Sequence, residues 1–299
     1  MTKKNMDAII NKADNLIEAL PYIRKFAGKT FVIKYGGHAM VSDSLKDAVA
    51  EDIVMLKYIG INPIVVHGGG NEITDMMRRM GKEAQFVGGL RVTDRETMEL
   101  VEMILVGKVN PELVQLLNSH GGKGVGLNGK DGNMLLARKM PPVNVLQDGK
   151  EVTVDLGYVG DLIKVDPEIV IALSSSGYIP VISSVGVSPE GEGLNINADY
   201  VAGELAAALQ AEKLILLTDV EGIFRQQGDA DSRISSLERE RAKEMIESGE
   251  ISSGMIPKVE ACFKALEGQV RRTHIIDGRQ SHSILLEIFT DEGIGTMVL

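Results

Sequence analysis

Short apolar runs rich in Val and Ile alternate with helical patterns from Gly28 onward, and this alternation limits the possible folds more than any other feature. The strand-like run TFVIKY (30–35) precedes a helical pattern from about Ser44 to Ile59, and INPIVVH (61–67) precedes another from Asn71. Strands that alternate with helices form βαβ units, whose strands run parallel. The sequence therefore predicts an α/β fold, a three-layer αβα sandwich in two lobes around a mostly parallel central sheet.

The stretch VSPEGEG (187–193) is the best candidate for a lobe boundary, because the alternation starts afresh beyond it. We therefore divide the chain into an N-terminal segment (1–27), a first lobe (28–188) and a second lobe (189–299). Two glycine-punctuated segments of the first lobe, GVGLNGKDGNMLLARK and EVTVDLGYVG, are interpreted as surface hairpins. The second lobe is predicted to contain helices Ala198 to Ala211, Leu237 to Glu247, Met255 to Glu267 and Ser283 to Phe289, and strands KLILLTDV and RTHIID.

Apolar residues before the first strand recur at spacings of three and four, which is typical of an amphipathic helix. They are Met6, Ile9, Ile10, Ala13, Leu16, Ile17, Leu20 and Ile23. The apolar stripe of such a helix needs a partner surface, which is either another subunit or the chain's own lobe.

Acidic residues outnumber basic ones, 42 to 32, so the chain carries a formal net charge of -10. Nucleic acids and anionic membranes favour concentrated Lys and Arg, so we expect a small-molecule partner instead. No apolar run approaches the roughly 18 residues that span a bilayer, and we expect a cytoplasmic protein. The single cysteine, Cys262, lies in a helical pattern and is interpreted as a small core residue rather than a nucleophile.

Two glycine motifs resemble known functional motifs but lack features that those motifs need. GVGLNG (124–129) satisfies the dinucleotide pattern GxGxxG, and GVGLNGK approaches a Walker A loop, but Asp131 stands where Ser or Thr would bind magnesium. Both motifs need a helix whose N-terminus faces the phosphates, whereas a DGN turn and the strand-like MLLARK follow here. HGGG (67–70) resembles an esterase oxyanion segment, but the sequence contains no GxSxG nucleophile elbow.

YGG (35–37) and HGGG (67–70) each follow an apolar strand and lead toward a helix, so both are expected at the carboxyl edge of the sheet. Two tight turns would show the same pattern. Lys34 favours a phosphate-binding role, because its position at the end of the first strand lets its ammonium reach the same edge. The glycines whose backbone N–H groups would approach an anion there are Gly36, Gly37, Gly68, Gly69 and Gly70.

Eight motifs of this chain, IKYGG, VVHGGGNEI, GLRVTD, DLGYVGD, PVISSVGV, NINAD, LLTDVEGI and SSGMIPKV, extend over nearly all of it from Gly28. Their order and spacing resemble those of the N-acetylglutamate kinases in the amino-acid kinase family. The resemblance implies the amino-acid kinase fold, with the acceptor bound by lobe 28–188 and ATP by lobe 189–299. It implies phosphorylation by ATP of the γ-carboxylate of N-acetyl-L-glutamate to N-acetyl-L-glutamyl 5-phosphate plus ADP, an early step of arginine biosynthesis.

The motif GLRVTD is the one that distinguishes these kinases best from relatives with other acceptors. The guanidinium of Arg91 is a planar fork that suits the α-carboxylate of the acceptor, although a surface salt bridge is the alternative. By resemblance, Arg91 and Asn195 hold that carboxylate and its surroundings. Gly69 and Gly70 would offer backbone N–H groups to the γ-carboxylate.

A carboxylate acceptor is already ionised at neutral pH, so its phosphorylation needs positioning and charge stabilisation rather than a general base. The resemblance places Lys34 and Lys258 against the transferring phosphoryl group. Asp199 is the candidate acid that keeps both ammonium groups charged and aimed, although it also suits an ordinary acid at a helix start. Its neighbour Asn197 is either a substrate contact or a helix cap.

Nucleotide contacts are expected from DVEGIF, which follows strand KLILLT, and from the segment before Pro257. The residues concerned are Asp219, Val220, Gly222, Ile223, Phe224, Ile251 and Met255. ATP is expected to arrive with Mg²⁺ held mainly by its own phosphates, and the sequence indicates no protein ligand for the ion and no tightly bound cofactor.

The N-terminal helix, with ALPYIRKF (19–26), resembles the extension found in hexameric, arginine-inhibited members of the family. Tyr22, Lys213, His274 and Glu287 match positions that line an effector pocket in such members, although a lone His or Glu is more often structural. The resemblance therefore implies a homo-oligomer, either a dimer or a hexamer built as a trimer of dimers, and feedback inhibition by L-arginine.

Two other functions fit many of the same residues. One is a related carboxylate kinase that acts on aminoadipate or glutamate, which only the contacts to the acyl group would distinguish. The other is a nucleotide-binding regulatory module without catalysis, which the presence of both Lys34 and Lys258 disfavours.

Overall fold

The computed structural model describes residues 3–37, 42–147, 150–226, 229, 232–252, 254–290 and 293–299. Its helices, in chain order, are α1 (Lys3–Phe26), α2 (Asp43–Tyr58), α3 (Gly70–Arg79), α4 (Arg95–Ile104), α5 (Asn110–Ser119), α6 (Glu168–Ser175), α7 (Ala198–Ala208), α8 (Arg239–Glu247), α9 (Ile256–Glu267) and α10 (Ser283–Ile288). Its strands are β1 (Thr30–Tyr35), β2 (Asn62–His67), β3 (Phe86–Val87), β4 (Leu90–Arg91), β5 (Gly124–Asn128), β6 (Leu135–Lys139), β7 (Val143–Gln147), β8 (Lys150–Val154), β9 (Gly160–Val165), β10 (Ile179–Ser183), β11 (Val185–Val187), β12 (Gly193–Asn195), β13 (Lys213–Thr218), β14 (Ser236–Leu237), β15 (Arg272–Asp277) and β16 (Thr296–Val298).

The central sheet has eight strands in the order β14-β16-β15-β13-β1-β2-β10-β5. From β15 to β5 the neighbouring strands pair in parallel, and β16 pairs antiparallel with β15. The apolar runs are long enough for strands and are buried on both faces, as parallel sheets require. The predicted mostly parallel central sheet is confirmed.

Helices cover both faces of this sheet, and side-chain alternation along β1 assigns each residue to one face. Val32 packs in a core that also contains residues of α6, α7, α8 and α9. Phe31 and Ile33 pack in a second core with residues of α2, α3, α4, α5 and α10. Lys34 is two residues after Val32, so its side chain lies on the same face of the sheet and points toward α7. The three-layer architecture therefore decides which helix the lysine contacts.

A second sheet, in the order β12-β11-β6-β9, contains the strands on either side of the predicted lobe boundary. Strands β11 and β12 pair antiparallel, with Val187 opposite Gly193, so residues 188–192 form the turn between them. In the central sheet, strands of the two predicted lobes meet where β1 pairs with β13. Both lobes therefore contribute to one continuous sheet.

The interpretation of the glycine-punctuated segments as surface hairpins is wrong for GVGLNG. These residues form β5, which pairs in parallel with β10 at the edge of the central sheet. The strand MLLARK does not form a hairpin with β5 either, because β6 pairs with the distant β9, whereas EVTV belongs to β8, which forms a hairpin with β7 from outside the two segments. The glycines of β5 leave room for α5: a Cβ on Gly126 would lie 2.0 Å from Oδ1 of Asn110.

The sequence patterns missed α4 and α5, which are joined by a π-helical turn (Leu105–Val109). The ends of the predicted helices agree with the structure or differ from it by up to three residues. For example, α7 ends at Ala208 rather than Ala211, because the chain turns away at Gln210, whose φ of 47° is left-handed.

The predicted N-terminal helix is present as α1, and its end packs on the chain's own sheet layers. The ring of Tyr22 lies edge-on to Phe289 with 6.3 Å between ring centroids, and Phe26 packs against Phe31. Leu16 and Ile17 are both 68% exposed. The side chains of Met6 and Ile9 lie outside the described residues. Within the part of the chain that the structure describes, α1 and the other helices lack the length and apolar character of a membrane span.

The interpretation of Cys262 as a core residue is confirmed. Its side chain is fully buried among the apolar residues of α7 and α9. Burial raises the pKa of the thiol to about 12, so the group stays protonated and unreactive at neutral pH.

Candidate active site

Side chains from three separate segments meet at the carboxyl end of β1. The ammonium nitrogen of Lys34 lies 3.0 Å from Oδ1 of Asp199, and that of Lys258 lies 3.1 Å from Oδ2. Each carboxylate oxygen therefore faces a different lysine. The side chain of Asp199 is 6% exposed, whereas Lys34 and Lys258 are 10% and 17% exposed, so the two cations are the part of this group that a ligand can reach.

The starts of two helices carry Asp199 and Lys258 to this place. Asn197 caps α7, because its side-chain oxygen accepts a hydrogen bond of 2.8 Å from the backbone nitrogen of Asp199. Pro257 lies in the first turn of α9, where a missing N–H does not interrupt helical hydrogen bonding, and Lys258 follows it. The positive ends of both helix dipoles therefore lie near the same point.

The charges in this group are mutually dependent. Burial alone would raise the pKa of Asp199, but the two ammonium groups outweigh burial and hold its pKa below the ordinary value. Asp199 is thus ionised at neutral pH. Two lysines and one aspartate leave a net charge of one positive unit, so the group differs from a neutral ion pair and would attract an anion.

The two predicted glycine loops lie next to each other and to Lys34. A Cβ on Gly36 would lie 3.5 Å from the backbone nitrogen of Gly68 and 3.7 Å from the Lys34 ammonium. Gly37 has a left-handed φ of 68°, and Gly68 lies close to Ala198 at the start of α7. Backbone nitrogens, a lysine and a helix start therefore converge here, a combination that is also found in known phosphate-binding sites.

The remaining two glycines of the second loop face different surroundings. A Cβ on Gly69 would lie 2.6 Å from Cδ2 of Leu105 and 3.3 Å from Cγ2 of Val109, so no larger side chain fits. Gly70 begins α3, and its position is open, with no heavy atom within 4 Å of a Cβ built there. The π-helical turn thus packs against one side of the loop, and the other side is accessible.

Arg91 is fixed to the helix that begins at the second glycine loop. Its Nη2 donates to the carbonyl oxygen of Gly70 at 2.9 Å and to Oγ1 of Thr74 at 2.7 Å. The guanidinium stacks over Phe86, 4.6 Å from the ring centroid, and is 6% exposed as a residue. Burial lowers its pKa, but not enough to remove the charge of a guanidinium. The structure thus brings Arg91 to Gly70, and among the residues that it describes no carboxylate forms an ion pair with this guanidinium.

Asn195 of β12 is connected to Arg91 by hydrogen bonds through Thr93. Its Nδ2 donates to Oγ1 of Thr93 at 3.2 Å, and Thr93 Oγ1 donates to the carbonyl oxygen of Arg91 at 2.8 Å. Thr93 is fully buried and was not singled out from the sequence, although it belongs to the motif GLRVTD. Its position two residues after Arg91 in that motif was its only local signal.

A cavity of about 410 Å³ lies beyond the carboxyl end of β13, next to the start of α9. Every residue that the sequence predicts for nucleotide binding lines it: Asp219, Val220, Gly222, Ile223, Phe224, Ile251 and Met255. The cavity has room for a ligand of nucleotide-base and ribose size. The α9 helix carries Lys258 two residues after its start, which connects the cavity to the lysine pair.

Besides Glu221, which was not singled out within its motif, four lining residues of this cavity were missed by sequence reasoning: Asp229, Glu250, Ser252 and Arg279. Arg279 comes from the loop after β15, and Asp277 binds its guanidinium through both carboxylate oxygens. These residues come from loops that are distant in sequence, so no local pattern would have grouped them. Glu221 is the exception, because it lies inside the motif DVEGIF.

The four predicted effector residues lie on the opposite face of the sheet from Lys34, near the amino end of β13. Lys213 Nζ is 2.7 Å from Nε2 of His274, whose Nδ1 is 2.6 Å from Oε1 of Glu287. Tyr22 contacts α10 through Phe289. Burial lowers the pKa of Lys213 to about 8, with the positive charge of Arg272 contributing in the same direction. Lys213, His274 and Glu287 are therefore connected by a buried series of two hydrogen bonds.

Comparison with known proteins agrees with this fold. Residues 29–277 match the model of the amino acid kinase family. The acetylglutamate kinase of Moorella thermoacetica is 59% identical over 290 residues, which is 97% of this chain and 98% of that enzyme. Relatives of 52–60% identity, from bacteria and archaea, carry the same name.

Solved structures of N-acetylglutamate synthase from Neisseria gonorrhoeae are also similar. The one with coenzyme A and N-acetyl-glutamate has a TM-score of 0.81 and 30% identity, and it covers 96% of this chain. The one with coenzyme A and L-arginine has a TM-score of 0.77 and 27% identity and also covers 96%. This chain spans 63% and 65% of the length of those synthase chains.

The central sheet and the match to the family model define a phosphoryl-transfer enzyme of the amino acid kinase type, and the chain belongs to the amino acid kinase family. A member of this family uses ATP as a substrate. Within the family, the chain groups with the acetylglutamate kinases.

Proposed function

We propose that this chain transfers the γ-phosphoryl group of ATP to the γ-carboxylate of N-acetyl-L-glutamate, which gives N-acetyl-L-glutamyl 5-phosphate and ADP, an early step of arginine biosynthesis. The observation that carries the proposal is the Lys34–Asp199–Lys258 group beside two glycine loops. The acceptor is taken from the relatives of 52–60% identity, all acetylglutamate kinases.

In this mechanism the two lysines stabilise the charge of the transferring phosphoryl group. An acceptor carboxylate and a triphosphate repel each other, so their approach needs fixed positive charge and backbone N–H groups between them. Lys34 serves the acceptor side and Lys258 the nucleotide side, while Asp199 holds both ammonium groups at about 3 Å and limits their mutual repulsion. A general base is unnecessary, because the nucleophile is already an anion.

We assign acceptor binding to the lobe 28–188 around Arg91. Its guanidinium would pair with the α-carboxylate of the acceptor, with Asn195 beside it. Gly69 and Gly70 would donate backbone N–H bonds to the γ-carboxylate, and Gly36, Gly37 and Gly68 would face the phosphates. The support is the hydrogen bond from Arg91 to the Gly70 carbonyl oxygen, which puts the guanidinium one loop away from Lys34.

We assign the nucleotide to the lobe 189–299, with its base and ribose in the 410 Å³ cavity next to α9. Mg²⁺ would enter with ATP and would be held by the phosphates. Asp199 does not suit the ion as a ligand, because each of its oxygens already faces a lysine ammonium. Phosphate oxygens and water are therefore the ligands expected for Mg²⁺.

A coupled assay of ADP release tests the main proposal with N-acetylglutamate, glutamate, aminoadipate, aspartate and UMP as separate acceptors. We expect turnover with N-acetylglutamate at a kcat/KM at least about a hundredfold above that of every other acceptor, because a site built for an amide rejects analogues that leave its polar groups unpaired. Turnover of another acceptor with N-acetylglutamate inert would refute the acceptor assignment. Absence of ADP release with every acceptor would favour a regulatory module.

We further propose that L-arginine inhibits the enzyme by binding near Lys213, His274 and Glu287. One support is the buried carboxylate of Glu287, which contacts His274. The others are the exposed apolar side of α1 and the structural similarity to a synthase that was solved with L-arginine. A guanidinium would find its counter-charge in Glu287. The exposed Leu16 and Ile17 of α1 suit contact with a second copy, in a dimer or a hexamer built as a trimer of dimers.

A further inference from the structure

Two buried polar residues lie directly behind the second glycine loop, and the mechanism above does not use them. His67 ends β2 and is fully buried, and Asn110 begins α5 and is 5% exposed. Nδ1 of His67 lies 2.9 Å from the carbonyl oxygen of Gly68, and Nε2 lies 3.0 Å from Nδ2 of Asn110. Both ring nitrogens of His67 are therefore engaged, one by the loop and one by a helix start.

The contacts of Asn110 decide which nitrogen of His67 carries the proton. Nδ2 of Asn110 also lies 2.8 Å from the carbonyl oxygen of Val181, which can only accept a hydrogen bond. The amide nitrogen must therefore face both Val181 and His67, so Nε2 of His67 accepts and Nδ1 donates to the Gly68 carbonyl oxygen. Burial lowers the pKa of His67 to about 4, so the ring is neutral at physiological pH and keeps this tautomer.

This hydrogen bond determines the direction of a backbone N–H group in the loop. The peptide between Gly68 and Gly69 is planar and trans, so its carbonyl oxygen and its N–H point in opposite directions. Because the Gly68 carbonyl oxygen is held toward the His67 ring, the N–H of Gly69 points away from it. That N–H is one of the two donors assigned above to the γ-carboxylate.

The glycine motif on β5 accounts for the position of Asn110. A Cβ on Gly126 would lie 2.0 Å from Oδ1 and 3.1 Å from Cγ of Asn110, so the amide fits only because this position has no side chain. GVGLNG is therefore a packing motif here. It lets α5 approach the sheet, and the same helix start brings Asn110 to His67.

We propose that His67 is a positioning residue for phosphoryl transfer, which orients the Gly69 N–H through the Gly68 carbonyl oxygen, and that Asn110 and Gly126 fix its tautomer and place. The inference rests on the proposed role of the glycine loop in phosphoryl transfer. It assigns no contact between His67 and substrate, because the ring is fully buried.

The tautomer is tested without activity, by ¹⁵N–¹H correlation of the imidazole groups in the full chain. The chain has five histidines, and the signal of His67 is assigned from its loss in the His67→Asn variant. We expect a protonated Nδ1 and an unprotonated Nε2 that do not change between pH 6 and pH 8. A protonated Nε2, or a titration within this range, would overturn the proposal.

Two variants with opposite hydrogen-bonding ability test the positioning role. In His67→Asn, the side-chain amide can occupy the place of Nδ1 and still donate to Gly68, whereas in His67→Gln the amide reaches the place of Nε2 and the donor to Gly68 is lost. We expect His67→Asn to keep kcat within about threefold of the parent and His67→Gln to lose about tenfold or more, with the KM for ATP unchanged in both. Both variants remove the same ring, so a merely structural role predicts equal losses of kcat.

Gly126→Ala provides a variant outside the loop, with Gly107→Ala as its matched control, because a Cβ on Gly107 has no heavy atom within 4 Å. We expect a lower kcat and a shifted His67 imidazole signal for Gly126→Ala only. Equal kcat in His67→Asn and His67→Gln, or a Gly126→Ala variant with an unshifted signal, would contradict the proposal. All rates are measured with whichever acceptor the parent enzyme turns over, so failure of the acceptor assignment is seen first and separately.

Discussion

Gly203 of α7 lies against the backbone of Ala261 of α9, and a Cβ on Gly203 would lie only 2.6 Å from the Ala261 carbonyl oxygen. A second contact of the same kind occurs further along, where a Cβ on Gly268 would lie 2.2 Å from Cβ of Ala207. The two helices therefore approach more closely than side chains would allow. Their starts carry Asp199 and Lys258, so the close approach sets the distance between the two charges.

Gly203→Ala should move α9 away from α7 and lengthen the contact between Lys258 and Asp199. We expect kcat to fall at least about tenfold, because a displacement near 1 Å at a catalytic charge has effects of this size, and the melting temperature to fall as well. Glu204→Gln is the control, because it removes only the partly exposed ion pair between Glu204 and Lys264 of the same two helices. Equal kcat in both variants would show that the spacing is unimportant.

Asp199→Asn should leave two ammonium groups close together without their counter-charge. We expect kcat to fall about a hundredfold or more, as when one preorganised electrostatic group of an active site is lost.

Lys258→Met should lower kcat similarly and also raise the KM for ATP, because Lys258 adjoins the nucleotide cavity. Steady-state ADP release measures both. A Lys258→Met enzyme with unchanged kcat would contradict the role of the lysine.

Arg91→Lys should raise the KM of the acceptor about tenfold or more while the KM for ATP stays the same. Lysine keeps the charge but loses the planar fork and its bonds to Gly70 and Thr74. Lys82→Met is a suitable control, because Lys82 forms ion pairs with Asp94 and Glu96 on the surface. If the KM of the acceptor and the KM for ATP rise together, Arg91 stabilises the glycine loop rather than binding the acceptor.

Asp52 should make stability depend on pH. It is fully buried in α2, and burial raises its pKa from 3.8 to about 6 although His282, 2.7 Å from its Oδ1, opposes the shift. Between pH 4 and pH 6 the folded chain then binds more protons than the unfolded one, so this group's contribution to the free energy of unfolding falls as pH rises, by about 3 kcal/mol in total. Above pH 6 the loss is complete.

The measurement is urea unfolding of Asp52→Asn and of the parent enzyme across this range. We expect the free energy of unfolding of Asp52→Asn to rise relative to that of the parent enzyme as the pH increases from 4 to 7. Asp43→Asn, at the exposed start of the same helix, should show no such trend. A pH-independent difference for Asp52→Asn would mean that Asp52 is ionised throughout the range.

Glu287→Gln should raise the arginine concentration for half-inhibition at least about tenfold, because a neutral amide gives up the charge-assisted pairing with a guanidinium. Glu287 also accepts backbone N–H bonds from Ile294 and Gly295, which the amide oxygen can still accept. Glu240→Gln, an exposed substitution on α8, is the control. An enzyme that keeps full activity at millimolar arginine would remove the regulatory proposal.

Much of the fold followed from periodicity. The strands TFVIKY and RTHIID have the predicted bounds, because both are rich in β-branched residues, which suit a strand buried on both faces. The helices α4 and α5 escaped prediction because the π-helical turn between them interrupts the regular spacing. Strand β5 was mistaken for a hairpin because its glycines serve helix packing, which no local pattern reports.

The chemistry-bearing residues were also recognisable in the sequence, because Lys34, Asp199 and Lys258 stand next to strand ends, caps and glycine turns. Their mutual geometry was not. Lys34 meets Asp199 because side chains alternate along β1 and its row faces α7, and Lys258 reaches the same carboxylate because Gly203 admits α9. Asn110 and the cavity-lining residues Glu250 and Arg279 had no such signal, and the role of His67 depends on contacts that the motif HGGG alone does not show.

The sequence by itself determined the parallel α/β architecture, the family resemblance and the types of residue available for phosphoryl transfer, since all of these depend on local periodicity and on motif order. The tertiary structure alone decided which charges share one carboxylate, which glycine makes room for which helix and which nitrogen of His67 is protonated. Those outcomes depend on distances between segments that lie far apart in the sequence, such as those of Lys34 and Asp199 or of Asn110 and Val181. Packing sets such distances, and no local stretch of sequence contains them.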